Sequence, residues 1–134
     1  MSILPCAKRL LSLSWLIVLA LASSTSAGEL EGRWRQGNWI DTNRGHEGPL
    51  RAHFRQTDES HYRAVFTGRF FKVIPFRFAT TLNVVGCEGD QLILAGESRV
   101  GLFGRFTYRA TADAHRFHAD YQSGRWQGEF NLQR

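Results

Sequence analysis

The residues of this sequence that could do chemistry lie closest together in the segment Gly45-His46-Glu47-Gly48-Pro49. An imidazole beside a carboxylate can transfer protons or orient the polar group of a bound ligand. The same pair in a Gly-rich loop can instead hydrogen-bond its own backbone. We therefore treat His46 and Glu47 as candidate ligand-orienting residues and keep both interpretations open.

The remaining histidines do not form a metal-ligand pattern. His115 and His118 are separated by an odd number of residues, so on a strand they point to opposite faces. His53 and His61 lie among arginines, whose charge disfavours a bound cation. The sequence also lacks Gly-x-Ser-x-Gly, phosphate-loop, Cys-x-x-Cys and His-Glu-x-x-His patterns. We expect no catalytic residue, no metal ion and no cofactor. A hydrolase or isomerase that uses His46 is the enzymatic alternative.

The elements that must position these residues are β-strands. From residue 30 onward, apolar and polar residues alternate with a period of two, and no segment follows the helical period of 3.6. The alternation predicts eight strands, with these inward residues: Leu30, Gly32 and Trp34; Leu50, Ala52 and Phe54; Tyr62, Ala64, Phe66, Gly68 and Phe70; Phe76, Phe78, Thr80, Leu82 and Val84; Leu92 and Leu94; Phe106, Tyr108 and Ala110; Phe117, Ala119 and Tyr121; Trp126, Gly128, Phe130 and Leu132.

Hairpin registers can be predicted because inward residues must face inward residues. A two-residue turn at Ser123-Gly124 would place Tyr121 opposite Trp126 in the core. A three-residue loop at Cys87-Glu88-Gly89 would place Val84 opposite Leu92. Both registers keep every large apolar residue on one face of the sheet.

Consecutive hairpins with one apolar face predict an all-β, single-domain, eight-stranded antiparallel up-and-down β-barrel. A two-sheet β-sandwich is the alternative, because the alternation does not specify closure. An outer-membrane barrel, with its aromatic residues facing lipid, is a second alternative. The many inward aromatic residues favour an interior filled by side chains.

The first predicted strand carries Gly32-Arg33-Trp34, which resembles the Gly-x-Trp opening of the lipocalin and avidin-like (calycin-type) barrels. That resemblance implies an exported eight-stranded barrel that binds small ligands. The sequence departs from the lipocalin pattern because it is short and lacks the family's disulfides and its later Thr-Asp-Tyr motif.

One end of the predicted barrel has unusually apolar loops, at residues 37–48, 71–75 and 98–103. Such loops are normally polar, so this rim is the predicted contact surface. Its candidate binding residues are Trp39, Phe71, Ile74 and Phe103, with His46 and Glu47 supplying polar groups. The alternative is that these loops fold inward and only cover the barrel.

The N-terminal segment predicts export. Lys8 and Arg9 precede the apolar residues 10–22 and the small residues 23–27, the layout of a cleaved signal peptide. We expect residues 1–27 to be the signal peptide and residues 28–134 to form the secreted or periplasmic domain, with no transmembrane segment after cleavage. An uncleaved anchor is the alternative, although a membrane-spanning helix needs roughly 20 residues. Cleavage would leave Cys87 as the single mature cysteine.

The net charge and the spacing of the arginines limit the classes of partner that the protein is expected to bind. Removing Lys8 and Arg9 lowers the formal net charge from +5 to +3, and the arginines are spread along the chain rather than clustered. This spacing does not indicate nucleic-acid binding. We expect a monomeric, non-enzymatic binding module that holds a small apolar ligand. A structural or interaction protein of the cell envelope is the alternative.

Overall fold

The computed structural model describes residues 30–99 and 104–134, a part of the chain that is built from β-strands. The strands are β1 Gly32–Trp34, β2 Gln36–Asp41, β3 His46–Asp58, β4 His61–Phe70, β5 Ile74–Glu88, β6 Gln91–Arg99, β7 Arg105–Ala112, β8 Arg116–Gln122 and β9 Gln127–Gln133. The predicted signal peptide and Phe103 lie outside the described residues. Within the described ranges, no helix is long and apolar enough to cross a membrane.

The strands close into an antiparallel barrel. Strands β3 to β9 pair with their neighbours in chain order, and β2 closes the ring by pairing with both β3 and β9. The short β1 and β2 are two halves of the first barrel strand, interrupted at Arg35, so the nine segments form eight barrel strands. The predicted eight-stranded barrel is confirmed, and the closed ring rules out the sandwich alternative.

The apolar face of each strand points into the barrel. In β3, Ala52 and Phe54 are buried, whereas the alternating His53 and Arg55 are exposed. The membrane-barrel alternative requires the reverse orientation, with apolar residues outward. The largest fully buried side chains are Trp34, Tyr62, Phe54, Phe66, Phe117, Leu30, Leu50, Leu82 and Leu94.

The barrel has two different ends. The turns after β2, β4 and β8 lie at what we call the upper end, and the turns after β3, β5 and β7 lie at the lower end. Trp34 closes the lower end, donating its Nε1–H to the Leu30 carbonyl oxygen at 2.9 Å. The Arg134 guanidinium lies 4.2 Å above the Trp34 ring and donates to the carbonyl oxygens of Glu31 and Ala114 at 3.0 Å. The Gly-x-Trp segment therefore plugs one end of the barrel.

The β8–β9 hairpin corrects the predicted register by two residues. Tyr121 lies opposite Gly128, not Trp126. The connection spans residues 123–126, and the Ser123 N–H donates to the Trp126 carbonyl oxygen at 2.8 Å. A slip of two residues keeps every side chain on its face, so the alternation could not detect it. Trp126 is thereby moved from the predicted core pair to the upper end of the barrel.

The β5–β6 hairpin is shifted in the same way. Val84 lies opposite Leu94 instead of Leu92, and the register is irregular between Val84 and Gly86. Glu88 pairs with Gln91, so the turn consists of residues 89–90 rather than 87–89. The prediction again placed the residues on the correct faces but in the wrong register.

Cys87 lies in β5, opposite Leu92, and not in a turn. Cys87 is disulfide-bonded. The sequence predicts a single cysteine only for the protein from which residues 1–27 have been cleaved. The full chain also contains Cys6, so the statement about the cleaved form stays a prediction.

The segment 37–48, predicted as a loop, is mostly strand. β2 runs to Asp41 and β3 begins at His46, which leaves a turn of residues 42–45. Trp39, predicted as a loop residue, lies in β2 and is only 6% exposed. Asp41 occupies the next inward position, and a charged residue there interrupts the apolar alternation on which the prediction depended.

Candidate functional site

The upper half of the barrel contains a cavity of about 210 Å³, which we call the aromatic cavity. Apart from one acidic residue, two arginines and one histidine, the described lining residues are aromatic. The lining consists of Trp39, Asp41, Arg44, His46, Phe70, Phe71, Phe76, Arg77, Phe78, Phe106, Tyr108, Tyr121, Trp126 and Phe130. The wall is therefore apolar with a few polar groups, which is the composition of small-molecule sites.

Several of the aromatic rings that line the cavity pack against one another. Phe78 stacks on Tyr108 with an interplanar angle of 11° and a centroid distance of 6.3 Å. Phe76 stacks on Phe78 at 24° and 6.1 Å, and Tyr121 packs against Phe130 at 5.0 Å. Because these rings support one another, the shape of the wall does not depend on a ligand.

Trp39 is fixed in the wall by one hydrogen bond and one close backbone contact. Its Nε1–H donates to the Arg69 carbonyl oxygen at 3.0 Å, and its ring packs edge-on against Phe70 at 5.3 Å. A Cβ at the paired position, Gly48, would lie 2.7 Å from Trp39 Nε1. Glycine at position 48 is thus required for the indole to occupy this place.

The β2–β3 turn presents Arg44 at the cavity. Asp41 is 3% exposed, and its Oδ1 accepts the backbone N–H groups of Asn43 at 2.9 Å and Arg44 at 3.3 Å. The Arg44 guanidinium lies 4.3 Å from the centroid of the Trp126 ring. This cation–π contact brings a positive charge to the edge of the aromatic cavity.

The β4–β5 turn has an unusual backbone. Phe71 and Lys72 have φ angles of 52° and 68°, a left-handed conformation that costs non-glycine residues of order 1–3 kcal/mol each. The Val73 N–H donates to the Phe70 carbonyl oxygen at 3.1 Å, and the Phe71 ring lies 5.8 Å from that of His46. Phe71 and Val73 are 68% and 71% exposed, so the turn presents apolar side chains at the surface, and Phe71 also lines the cavity.

Two phenols line the cavity, and both are held in the neutral form. The Tyr121 hydroxyl donates to the Ile40 carbonyl oxygen at 3.0 Å, and the Tyr108 hydroxyl shares a hydrogen bond with Ser98 Oγ at 2.9 Å. Burial raises the pKa of Tyr108 to about 12, against which the Ser98 hydrogen bond acts. Burial, followed by the nearby Asp41 carboxylate, raises the pKa of Tyr121 well above its ordinary value.

The structure brings three of the six sequence-predicted site residues to the aromatic cavity. Trp39, His46 and Phe71 line it. Glu47 is exposed and Ile74 is 51% exposed, and neither is among the lining residues. Phe103 lies outside the described residues.

Most of the cavity wall was not predicted as a site, because the inward aromatic residues were expected to fill the barrel. That expectation holds around Trp34, Phe54 and Phe117, whose rings pack at 4.9–5.8 Å. In the upper half, Phe76 and Phe78 are only partly buried. The available signal was the turn-forming pattern around Asp41 and Arg44, which would have placed Trp39 on a strand facing the barrel interior.

A separate polar group lies on the outer wall of the barrel. One ligand atom from each of His118, Asp120 and Glu129 falls within a 4.8 Å cluster, which is compact enough to hold a cation. His118 Nε2 is 3.2 Å from Asp120 Oδ1, and its Nδ1 is 2.6 Å from Asn131 Oδ1. These groups are solvent-exposed or half-buried and lie outside the aromatic cavity, which offers the more enclosed environment.

The chain matches no known family model and none of the curated proteins with which it was compared. Among solved structures, it is similar to designed β-barrels. A redesigned barrel, mFAP1, bound to DFHBI is 18% identical, with a TM-score of 0.63 over 83% of this chain and 100% of that one.

Two further barrels are similar to the same extent. EF1p2_mFAP2b bound to DFHBI is 19% identical with a TM-score of 0.61, and a de novo designed fluorescence-activating β-barrel is 12% identical with a TM-score of 0.60. Each alignment covers 81% of this chain and 96% of the designed chain. The fold is shared. At these identities the likeness concerns the barrel architecture and no particular residue.

Proposed function

We propose that this protein is an exported, non-enzymatic binding protein that holds a small, ring-containing apolar molecule in the aromatic cavity. The signal-like residues 1–27 support export, and the binding role agrees with the lipocalin and avidin-like resemblance of Gly32-Arg33-Trp34. The observation that carries the proposal is the cavity itself, because it is preformed, apolar and located inside a closed barrel.

The size and chemistry of the cavity define the ligand. An apolar protein cavity of roughly 150 Å³ is enough to bind benzene. At about 210 Å³, the aromatic cavity suits one or two rings, with any further group extending to the upper end. The aromatic lining favours flat, ring-containing ligands, since aromatic rings prefer offset-stacked or edge-to-face contacts.

The designed barrels give independent support for this use of the fold. Two of them have structures bound to DFHBI, so a barrel of this architecture can hold a ligand. Their low sequence identity transfers no ligand identity to this chain. The proposal for a flat, apolar ligand therefore depends on the residues of this cavity alone.

A binding role also fits the surroundings of His46 better than catalysis does. A general base needs a partner that orients its ring. In the described part of the chain, the His46 ring packs edge-on against the Phe71 ring at 5.8 Å, a contact that supplies no hydrogen-bonding partner. Glu47, the acid beside it in sequence, is exposed and does not line the cavity.

The envelope-interaction alternative is favoured by one observation, the exposed side chains of Phe71, Val73 and Ile74. In the ligand-binding proposal this turn guards the cavity entrance. The two functions differ in whether substitutions inside the cavity affect binding.

The proposal is tested with N-phenyl-1-naphthylamine, a neutral aromatic probe whose fluorescence rises in apolar sites. Its binding is compared between the wild type and two matched variants of β5. Phe76→Gln changes the cavity wall, whereas Val84→Gln changes an equally half-buried residue outside it. Losing one stacked ring should weaken probe binding roughly tenfold, about 1.4 kcal/mol, in Phe76→Gln only. Equal probe affinity for both variants and the wild type, or no saturable binding, would contradict the proposed function.

A further inference from the structure

We propose that the upper end of the barrel docks onto the surface of an anionic phospholipid bilayer through the turn between β4 and β5. The inference goes beyond the proposed ligand binding and does not depend on what the aromatic cavity holds. Two features of the described residues lead to it, an exposed apolar tip and a group of basic side chains directly behind that tip.

The apolar tip consists of Phe71, Val73 and Ile74, at the turn between β4 and β5. In the described ranges, four large apolar side chains are exposed, and these are three of them. The φ angles of Phe71 and Lys72 are both positive, so the backbone holds this arrangement at a conformational cost. Exposed apolar patches mark surfaces that bind a protein or a membrane.

Basic side chains lie on the strands directly behind the tip. We call them the basic collar, and all of them are exposed: Arg51, Arg69, Lys72 and Arg77. Thr67 lies between Arg51 of β3 and Arg77 of β5 in one row across the sheet, and Arg69 is one outward position nearer to the tip. In the described part of the chain, none of the four takes part in an ion pair, so their charge is available to a partner.

One acid opposes the basic collar. Glu47, in β3, is the one acidic residue at the described outward positions of β3, β4 and β5 between the tip and the row of Thr67. Four basic residues and one acid leave an excess of three positive charges there. Each basic residue near an anionic bilayer surface strengthens binding by roughly fivefold.

The turns at the two ends of the barrel carry opposite charges. In the described turns of the upper end, the residues with a formal charge are Arg44, Lys72 and Arg125. In the described turns of the lower end, they are Glu59, Asp90 and Asp113. This asymmetry would turn the upper end toward an anionic surface and the lower end away from it.

The spacing between the tip and the collar matches the depth of a bilayer interface. An interfacial apolar surface sinks roughly 5–10 Å into the boundary between headgroups and acyl chains. A strand rises about 3.3 Å per residue, so Arg69 is roughly 7 Å along β4 from Phe71. By the same measure, Arg77 is roughly 10 Å along β5 from Ile74. Insertion of the tip would therefore bring both guanidinium groups to the lipid phosphates, with which they can form charge-assisted hydrogen bonds.

The test measures co-sedimentation of the purified chain with vesicles made of equal parts phosphatidylglycerol and phosphatidylcholine, and with vesicles of phosphatidylcholine alone. At low salt, we expect binding to the anionic vesicles to be about tenfold tighter or more, because several basic residues act together. Added salt should weaken this binding. Every variant keeps residues 1–27, so differences between variants come from the barrel.

Two matched variants test the apolar tip. The double substitution Val73→Ser/Ile74→Ser removes apolar surface without changing a residue that lines the aromatic cavity, and it should weaken binding to the anionic vesicles about tenfold. Val85→Ser is the control, since Val85 is similarly exposed but lies toward the lower end of β5. It should change the affinity by less than about twofold.

A second pair of variants tests the basic collar. Arg69→Gln should weaken binding to the anionic vesicles about fivefold. Arg55→Gln removes the same charge from an exposed position near the lower end of β3, and it should change the affinity by less than about twofold. If Val73→Ser/Ile74→Ser fails to fold in a thermal melt, the two arginine variants carry the comparison.

The outcomes decide between partners. Equal binding to both kinds of vesicle, or none to either, overturns the proposal. Equal losses in Arg69→Gln and Arg55→Gln overturn it too, since the effect would then be one of net charge. If a folded Val73→Ser/Ile74→Ser binds as the wild type does, the collar alone acts, which identifies a soluble polyanion as the partner instead of a bilayer. None of these results affects the proposed ligand binding, which is measured with a separate probe.

Discussion

Polar atoms in the aromatic cavity are tied to specific partners, so few of them remain for a neutral ligand. The Trp39 indole donates to Arg69, the Tyr121 hydroxyl donates to Ile40, and the Tyr108 hydroxyl pairs with Ser98. Satisfied groups of this kind keep the side chains in place without exposing unpaired atoms to an apolar ligand.

The raised pKa of Tyr108 predicts how stability changes in alkaline solution. The folded phenol keeps its proton up to about pH 12, whereas the unfolded phenol releases it near its ordinary value of 10.0. The contribution is therefore fully present below pH 10 and is lost as the pH rises toward 12. Tyr121 shifts in the same direction, so the free energy of unfolding should fall across this window.

Urea unfolding at several pH values between 9 and 12 measures this fall. Tyr108→Phe, which cannot ionise at this position, should show a shallower decrease than the wild type. Identical pH profiles for the two proteins would mean that Tyr108 does not titrate with the raised pKa.

Individual site residues could be predicted from the sequence only where their type was unusual for their position. Trp39, His46 and Phe71 were identified because apolar or ionisable groups stood in a supposed loop. Asp41 and Arg44 were missed because residues 37–48 were interpreted as one long loop, so the short turn that the Asp41 side chain caps was not separated from the strands on either side of it. Trp126 was assigned to the core, since an error of two residues in register does not change its face.

At the scale of strands, face and order were predictable and register was not. Alternation gave the inward residues of β3, β4 and β7, and short polar turns gave the chain-order pairing. Register depends on the number of residues in each turn and on irregularities such as the one between Val84 and Gly86. Neither turn length nor a strand irregularity has a strong sequence signal. The two register errors, in the β5–β6 and β8–β9 hairpins, both arose from these features.

The observed β8–β9 register makes a sharp prediction at Gly128. A Cβ at this position would lie 2.5 Å from the Tyr121 hydroxyl and would overlap the Ile40 carbonyl oxygen. Because the second contact is with backbone, Gly128→Ala should lower the free energy of unfolding by about 2 kcal/mol.

Gly124→Ala is the matched control, since a Cβ there has no atom within 4 Å. It should change the free energy of unfolding by less than about 0.5 kcal/mol. If both substitutions are tolerated equally in urea unfolding, Gly128 does not face Tyr121 and the hairpin register is wrong.

The whole molecule divides into a closed half and a cavity-bearing half. At the lower end, Trp34 and Arg134 seal the barrel and Phe54 and Phe117 fill it. At the upper end, aromatic side chains line the wall and leave a cavity of about 210 Å³. The barrel could be predicted from strand count and alternation, whereas the cavity could not, because residue type does not say whether inward rings meet at the axis or stack along the wall.

The most direct test of the ligand-binding account uses the indole N–H resonances of the protein in ¹H–¹⁵N spectra during titration with N-phenyl-1-naphthylamine. Trp39 and Trp126 line the aromatic cavity, whereas Trp34 is sealed at the opposite end beneath Arg134. The account predicts that the Trp39 and Trp126 indole signals shift saturably and that the Trp34 signal stays in place. Saturable binding that shifts Trp34, or that leaves both Trp39 and Trp126 unchanged, would contradict it.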